Sequence, residues 1–236
     1  TVEVDSDSGD TIDSVADTLE ARAAAYFGGG VSVEKIDGDR LEIGLPDPLV
    51  FPDLFEAIGN FEFREPIVED GLMVCQAAGG ETFPAETSSL TIVGGEDGAV
   101  EALCYSDQLV GSAVWVPAEA ETASGDTAVL SGRFLRREGT KATEAPAGQG
   151  PILELYFDGE GGSMFEEITG RLVGFSLAFF LDGVLLSAPT VSQSITTGSA
   201  VLLGLQPEES HVLSAVLQGG DLAVPVTIVT GASTPD

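Results

Sequence analysis

Apolar residues recur every three or four positions at Ile12, Val15, Ala16, Leu19, Ala23 and Tyr26, which predicts a helix burying one stripe. The acidic run before it reads as a helix entry, with carboxylates at the positive end of the peptide dipole. Gly28, Gly29 and Gly30 stop the helix. Strict alternation then takes over at 31–36 and 40–45, on either side of Asp37 and Gly38, a two-residue hairpin signal. A helix is expected over 48–58, a short strand over 61–64 and a linker over 65–71. Residues 72–135 are strand-rich, with runs at 72–75, 90–93, 100–105, 109–116 and 128–135 separated by Gly, Pro, Ser and Asp. The Ala-, Gly- and Pro-rich stretch 140–150 reads as a hinge or surface loop.

The stretch 151–204 has the densest pattern. A β-branched and aromatic run at 152–157 predicts a strand. Asp158 can then cap a helix carrying Phe165, Ile168 and Leu172 on one face, and Gly174 is placed to end it. Residues 177–181 form a strand too apolar to leave either face in water. Asp182 and Gly183 turn the chain into a returning strand at 184–187. Pro189, which has no N–H for a ladder, stops that strand. A strand at 200–204, a helix from Pro207 and a strand at 224–229 follow. Strands and helices in this arrangement predict an α+β fold.

The 236 residues are ample for a packed core. With 9 basic and 39 acidic residues the net charge is −30. Such a surface repels phosphate backbones and anionic lipid headgroups, which excludes nucleic acid as a partner and docking on anionic lipid. No run of about 20 apolar residues is present, so no membrane-spanning segment is expected, and no signal peptide is visible. The abrupt start at Thr1 is what a removed leader, a removed anchor or a trimmed chain would leave.

Few residues propose chemistry. A calcium loop counted from Asp5 would place Gly9, Asp10 and Ala16 where an oxygen ligand, a glycine and a glutamate are needed. No metal is expected there. The triple glycine follows a helix instead of opening one, so it is no phosphate cradle. Cys75 and Cys104 flank separate strands and form either one disulfide or two buried thiols. Two cysteines and one remote histidine fall short of a zinc site. Trp115 reads as a core or sheet-face residue in preference to a ligand platform. Arg133, Arg136, Arg137 and Lys141 face either an acidic partner or the protein's own acidic surface. The sole histidine, His211, sits mid-helix three residues after Glu208, in a solvated or capping role. With no other histidine and no nucleophile elbow, an enzyme is not expected, and neither is a cofactor.

The sequence LDGVLLSAP, then SITTGSAVLLG, then a helix and LQGGDLAVPVTIV, resembles the SecD/SecDF family of protein-export membrane subunits in its first extracytoplasmic domain. The residues carrying the likeness are Asp182, Gly183, Ser187, Ala188, Pro189, Gly198 and Gly204. An earlier helix, a hairpin ending in LEIGLP and the strand FEFR resemble the start of the same domain. The resemblance implies a ferredoxin-like base, 1–68 with 222–236, and an inserted strand-rich head. Within the head, 151–221 is the SecD-like unit and 69–150 an elaboration with no assigned role. It further implies non-catalytic handling of unfolded or translocating polypeptide, in company with Sec translocon components. The expected location is extracytoplasmic, tethered to the membrane in the full-length protein. Hinges are expected near 65–71 and 219–223. Two departures matter: the chain ends where the family enters a membrane helix, and GALP is replaced by Gly220, Asp221, Leu222 and Ala223. If 236 residues is the mature protein, a stand-alone exported or lipid-anchored module with an unknown ligand becomes the alternative.

Overall fold

The computed structural model describes residues 1–6, 8–47, 51–94, 100–106, 109–144 and 150–229. Among these, the α-helices are α1 (Gly9–Phe27), α2 (Pro52–Glu56), α3 (Gly159–Arg171) and α4 (Pro207–Gly219). The chain forms two compact units. The first comprises Thr1–Gly59, Arg136–Leu155 and Val201–Asp236, and the second Asn60–Leu135 and Tyr156–Ala200.

The first unit is built on an antiparallel sheet ordered Val226–Ile228, Val2–Val4, Arg40–Gly44, Ser32–Asp37. In chain order this is strand four, one, three, two. With α1 after the first strand and α4 before the last, it is the β-α-β-β-α-β arrangement of ferredoxin-like folds. The fold is α+β, and α4, expected within the 151–221 unit, lies in the first unit packed on α1. α1 buries Ile12, Val15, Leu19 and Ala23, the predicted stripe. It ends at Gly28, whose φ of 75° lets its N–H reach the Ala24 carbonyl at 2.9 Å. The expected helix over 48–58 is the single turn of α2, and Pro48, Leu49 and Val50 lie outside the described residues.

A three-stranded sheet joins Lys141–Glu144, Pro151–Tyr156 and Ser199–Leu203, with α4 packed on Lys141–Glu144. The strand Lys141–Glu144 corrects the expected loop over 140–150. Its Ala142 is paired with Leu153 and Thr143 with Ile152, so pairing to an apolar strand overrides weak local propensity.

The second unit centres on a sheet ordered Trp115–Pro117, Phe61–Pro66, Ala178–Leu181, Val184–Ser187. Its last two strands turn at Asp182 and Gly183, with φ of 50° and 82°, the left-handed pair that a tight hairpin requires. The Asp158 carboxylate caps α3, accepting from the Gly161 N–H at 2.7 Å. α3 ends at Arg171, earlier than expected, and Gly174 lies beyond its cap with a φ of 91°. Phe61, Phe63, Phe157, Phe165 and Phe179 form one aromatic core, with Phe157 and Phe165 stacked at 4.7 Å. Burial stabilises each by about 1.5–3 kcal/mol.

A second sheet in this unit is ordered Val68–Glu69, Leu72–Ala77, Val110–Ala113, Val100–Tyr105, Thr91–Gly94, with Thr82–Ala85 also paired to Leu72–Ala77. Cys75 and Cys104 are joined in a disulfide with their Cα atoms 6.3 Å apart. The expected linker 65–71 is ordered: Glu65 and Pro66 end one strand, Val68–Glu69 form another, and Asp70 and Gly71 make a left-handed turn. The expected strand 109–116 is two strands in two sheets, divided at Val114, whose N–H donates to Val74 and whose carbonyl accepts from Ile67. Neither expected hinge lies at a passage between the units.

Candidate functional site

Residues 183–207 carry no charged side chain, in a chain where 48 of 236 residues are charged. Within this run Ser199–Leu203 stands at the edge of the three-stranded sheet. In the first unit, Leu202 is buried, while Val201 and Leu203 are 47% and 56% exposed. The alternation follows from the two-residue period of a strand. Proteins usually blunt such an edge with charge, proline or a bulge. Here the edge is both apolar and uncharged, and a strand of another chain could extend it through backbone hydrogen bonds.

The second feature of the first unit is a cleft of about 330 Å³ between α1, α4 and the strand Lys141–Glu144. Tyr26, Lys141, His211, Ser214 and Gln218 line it. α4 is placed by a capping box, with the Gln206 N–H donating to Glu209 Oε2 at 2.8 Å and Pro207 in the first turn. His211 is exposed, and its Nδ1 lies 2.9 Å from the Pro207 carbonyl. Ser214 is buried one turn further on and accepts from Gln218 Nε2 at 2.9 Å. Among the described residues, no hydrogen bond joins His211 to Ser214. Burial first, and then the charges of Glu208 and Asp47, push the Tyr26 phenol above its ordinary value.

Near the cleft, α1 carries a residue that sequence reasoning missed. Arg22 is fully buried and donates to the carbonyls of Leu54, Ala57, Ile58 and Gly220. Its signal was its place on the apolar stripe, three residues after Leu19 and four before Tyr26. The basic cluster is dispersed: Arg133 lies over the Phe134 ring, Arg137 reaches the Gly219 carbonyl, and Lys141 pairs with Glu154 at 3.6 Å. Trp115 is half-buried on a sheet face, 6.5 Å from Phe180.

None of the motif residues lines this cleft. The Asp182 carboxylate accepts from the Asn60 N–H at 2.8 Å. Ser187 pairs with Phe179, Ala188 is buried, and the Pro189 carbonyl accepts from Leu177. Gly198 accepts from Phe157, and Gly204 follows the edge strand with a φ of 89°. Among the described residues, no group of three His, Cys, Asp or Glu side chains is placed to hold a metal. No helix among them is long and apolar enough to cross a membrane.

A ferredoxin-like sheet whose first and last strands pair, with a second sheet-rich unit formed from residues between them, defines an α+β protein of two units. Residues 112–224 match the family described as SecDF, P1 head subdomain. Protein translocase subunit SecD of Acidaminococcus fermentans is 37% identical over 102 residues, 43% of this chain and 24% of that protein. Protein translocase subunit SecDF of Thermus thermophilus is 42% identical over 79 residues, 33% of this chain and 11% of that protein. A structure described as a membrane component SecDF that enhances protein export has a TM-score of 0.58 and 24% identity, covering 99% of this chain and 98% of that one. The chain is similar to the SecD/SecDF family in the first extracytoplasmic domain, over the head subdomain. It spans a quarter or less of the length of these two translocase subunits.

Proposed function

We propose that this domain handles polypeptide during Sec-dependent protein export, holding an extended segment without chemically changing it. The observation that carries this reading is the uncharged strand edge with Val201 and Leu203 turned outward on a strongly acidic chain. Strand addition supplies affinity through the backbone and is therefore tolerant of sequence, as an export component must be. The exposed side chains add apolar contact with alternate residues of the bound segment. Similarity to SecD/SecDF proteins supports a place at the outer side of the membrane, tethered by a longer protein and near the Sec translocon. Non-catalytic action is supported by the cleft, whose histidine and serine each bond within their own helix.

The test places a photo-crosslinking residue at Leu203 and offers an unfolded secretory polypeptide. Capture well above that of a folded-protein control is expected. Capture equal to the control would remove polypeptide handling at this edge.

A further inference from the structure

We propose that the cleft between α1, α4 and the strand Lys141–Glu144 binds an alkylammonium group, the side chain of a lysine in an extended chain. The Pro207 carbonyl only accepts, so His211 Nδ1 carries the proton and donates to it. In the neutral ring Nε2 is then left with a lone pair. Gln218 uses its Nε2 on Ser214, which leaves its Oε1 as an acceptor. The Tyr26 hydroxyl can accept as well. Three side chains with an acceptor to spare thus line the space, while Ala25 and Ala142 provide a small apolar lining for a methylene stem.

Charge points the same way. Lys141 is the lining cation, and Glu154 stands 3.6 Å from it. Glu208 and Asp47 act on the Tyr26 phenol in the direction that favours a cation beside it. One positive charge therefore meets three negative ones, on a protein of net charge −30. An anion would meet this field and an excess of acceptors, whereas an ammonium group brings three donors and no acceptor. The cleft volume is at the small end of ligand sites and suits one side chain.

The inference depends on polypeptide handling only for the source of the ammonium group. Because His211 is the sole histidine, its imidazole gives one unambiguous NMR signal. The protein is titrated above the ordinary histidine range with Ac-Ser-Lys-Ser-NH2, its norleucine and glutamate analogues, and putrescine. Saturable movement of the ring signal with the lysine peptide, and none with norleucine or glutamate, is expected. A Gln218→Met variant should weaken this binding about tenfold. Glu208→Gln, a change at an exposed site, should weaken it in the same direction and guards against a folding failure in the first variant. A response to putrescine alone would assign the cleft to a free amine and still support ammonium recognition. Equal movement with norleucine, movement with glutamate alone, or none with any probe would overturn it. These short polar peptides lack apolar alternation, so their failure leaves capture at Leu203 standing, and loss of that capture leaves this binding standing.

Discussion

Arg22 Nη2 lies 2.6 Å from the carbonyl oxygen of Gly220, 198 residues further along the chain. The same guanidinium reaches the carbonyls of Leu54, Ala57 and Ile58, so one buried side chain ties α1 to the end of α2 and the end of α4. Replacing it with Met leaves these buried acceptors short of donors. Arg22→Met is expected to lower unfolding free energy by about 3 kcal/mol or more, read from urea denaturation. Arg22→Lys, with a compact ammonium in place of the planar fork, should recover only part of this.

The disulfide between Cys75 and Cys104 spans 29 positions. Cross-linking over that distance restricts the unfolded chain by about 3–4 kcal/mol in the chain-entropy description. Reduced protein, or the Cys75→Ala/Cys104→Ala double variant, should therefore unfold at a markedly lower urea midpoint. An unchanged midpoint would show that the sheet alone fixes these strands.

Gly111 occupies the middle strand between those carrying the two cysteines, opposite Ala77 and Cys104. A Cβ there would collide with the backbone of Gln76 and Ala77, which cannot swing aside as a side chain can. Gly111→Ala is expected to cost about 1–3 kcal/mol, whereas Gly79→Ala, with open space around it, should stay within about 0.5 kcal/mol. Thermal unfolding of the pair checks both.

Burial alone would raise the Glu62 pKa; hydrogen bonds from Arg64 and Asn60, with the Arg64 charge, reverse this and hold it below the usual glutamate value. A carboxyl with a lowered folded-state pKa stabilises the fold above its unfolded pKa and loses that contribution as pH falls through the folded one. The stability gap between wild type and Glu62→Gln should accordingly be widest near neutral pH. It should shrink on acidification below the ordinary glutamate range, measured by denaturation across that interval.

Leu203→Glu puts charge on the exposed face of the edge strand without disturbing a buried contact. Stability should change by no more than about 0.5 kcal/mol. Crosslinking of unfolded polypeptide from a neighbouring position should drop toward the folded-protein control. Retained capture would move the binding surface elsewhere.

Much of this architecture was legible because local signals agreed with tertiary need. The stripe from Ile12 to Tyr26, the Asp158 cap and the Asp182-Gly183 turn each state their geometry within a few residues. Family likeness supplied the ferredoxin-like base, whose paired first and last strands are more than 220 residues apart and which no local period reveals. What stayed hidden depended on distant partners. Lys141–Glu144 is a strand only through pairing with Pro151–Tyr156, and the break at Val114 arises from its bonds to Ile67 and Val74. The cleft combines residues from three separate segments, Tyr26, Lys141 and His211, so no spacing announced it. Arg22 and the charge-free run 183–207 were visible in the sequence, yet their meaning came from burial in one case and from a sheet edge in the other.

The sheet pairing of Val2 with Ile228 has a consequence for assembly. Of the strands in this sheet, the one made first waits for the one made last, while the whole second unit is formed from residues in between. Synthesis in the ordinary direction thus lets the second unit collapse early and keeps the edge of Val2–Val4 unsatisfied until the final strand arrives. Long-range pairings of this kind are slow to form. Loss of residues 226–228 would leave an otherwise ordered chain with an open, adhesive sheet border.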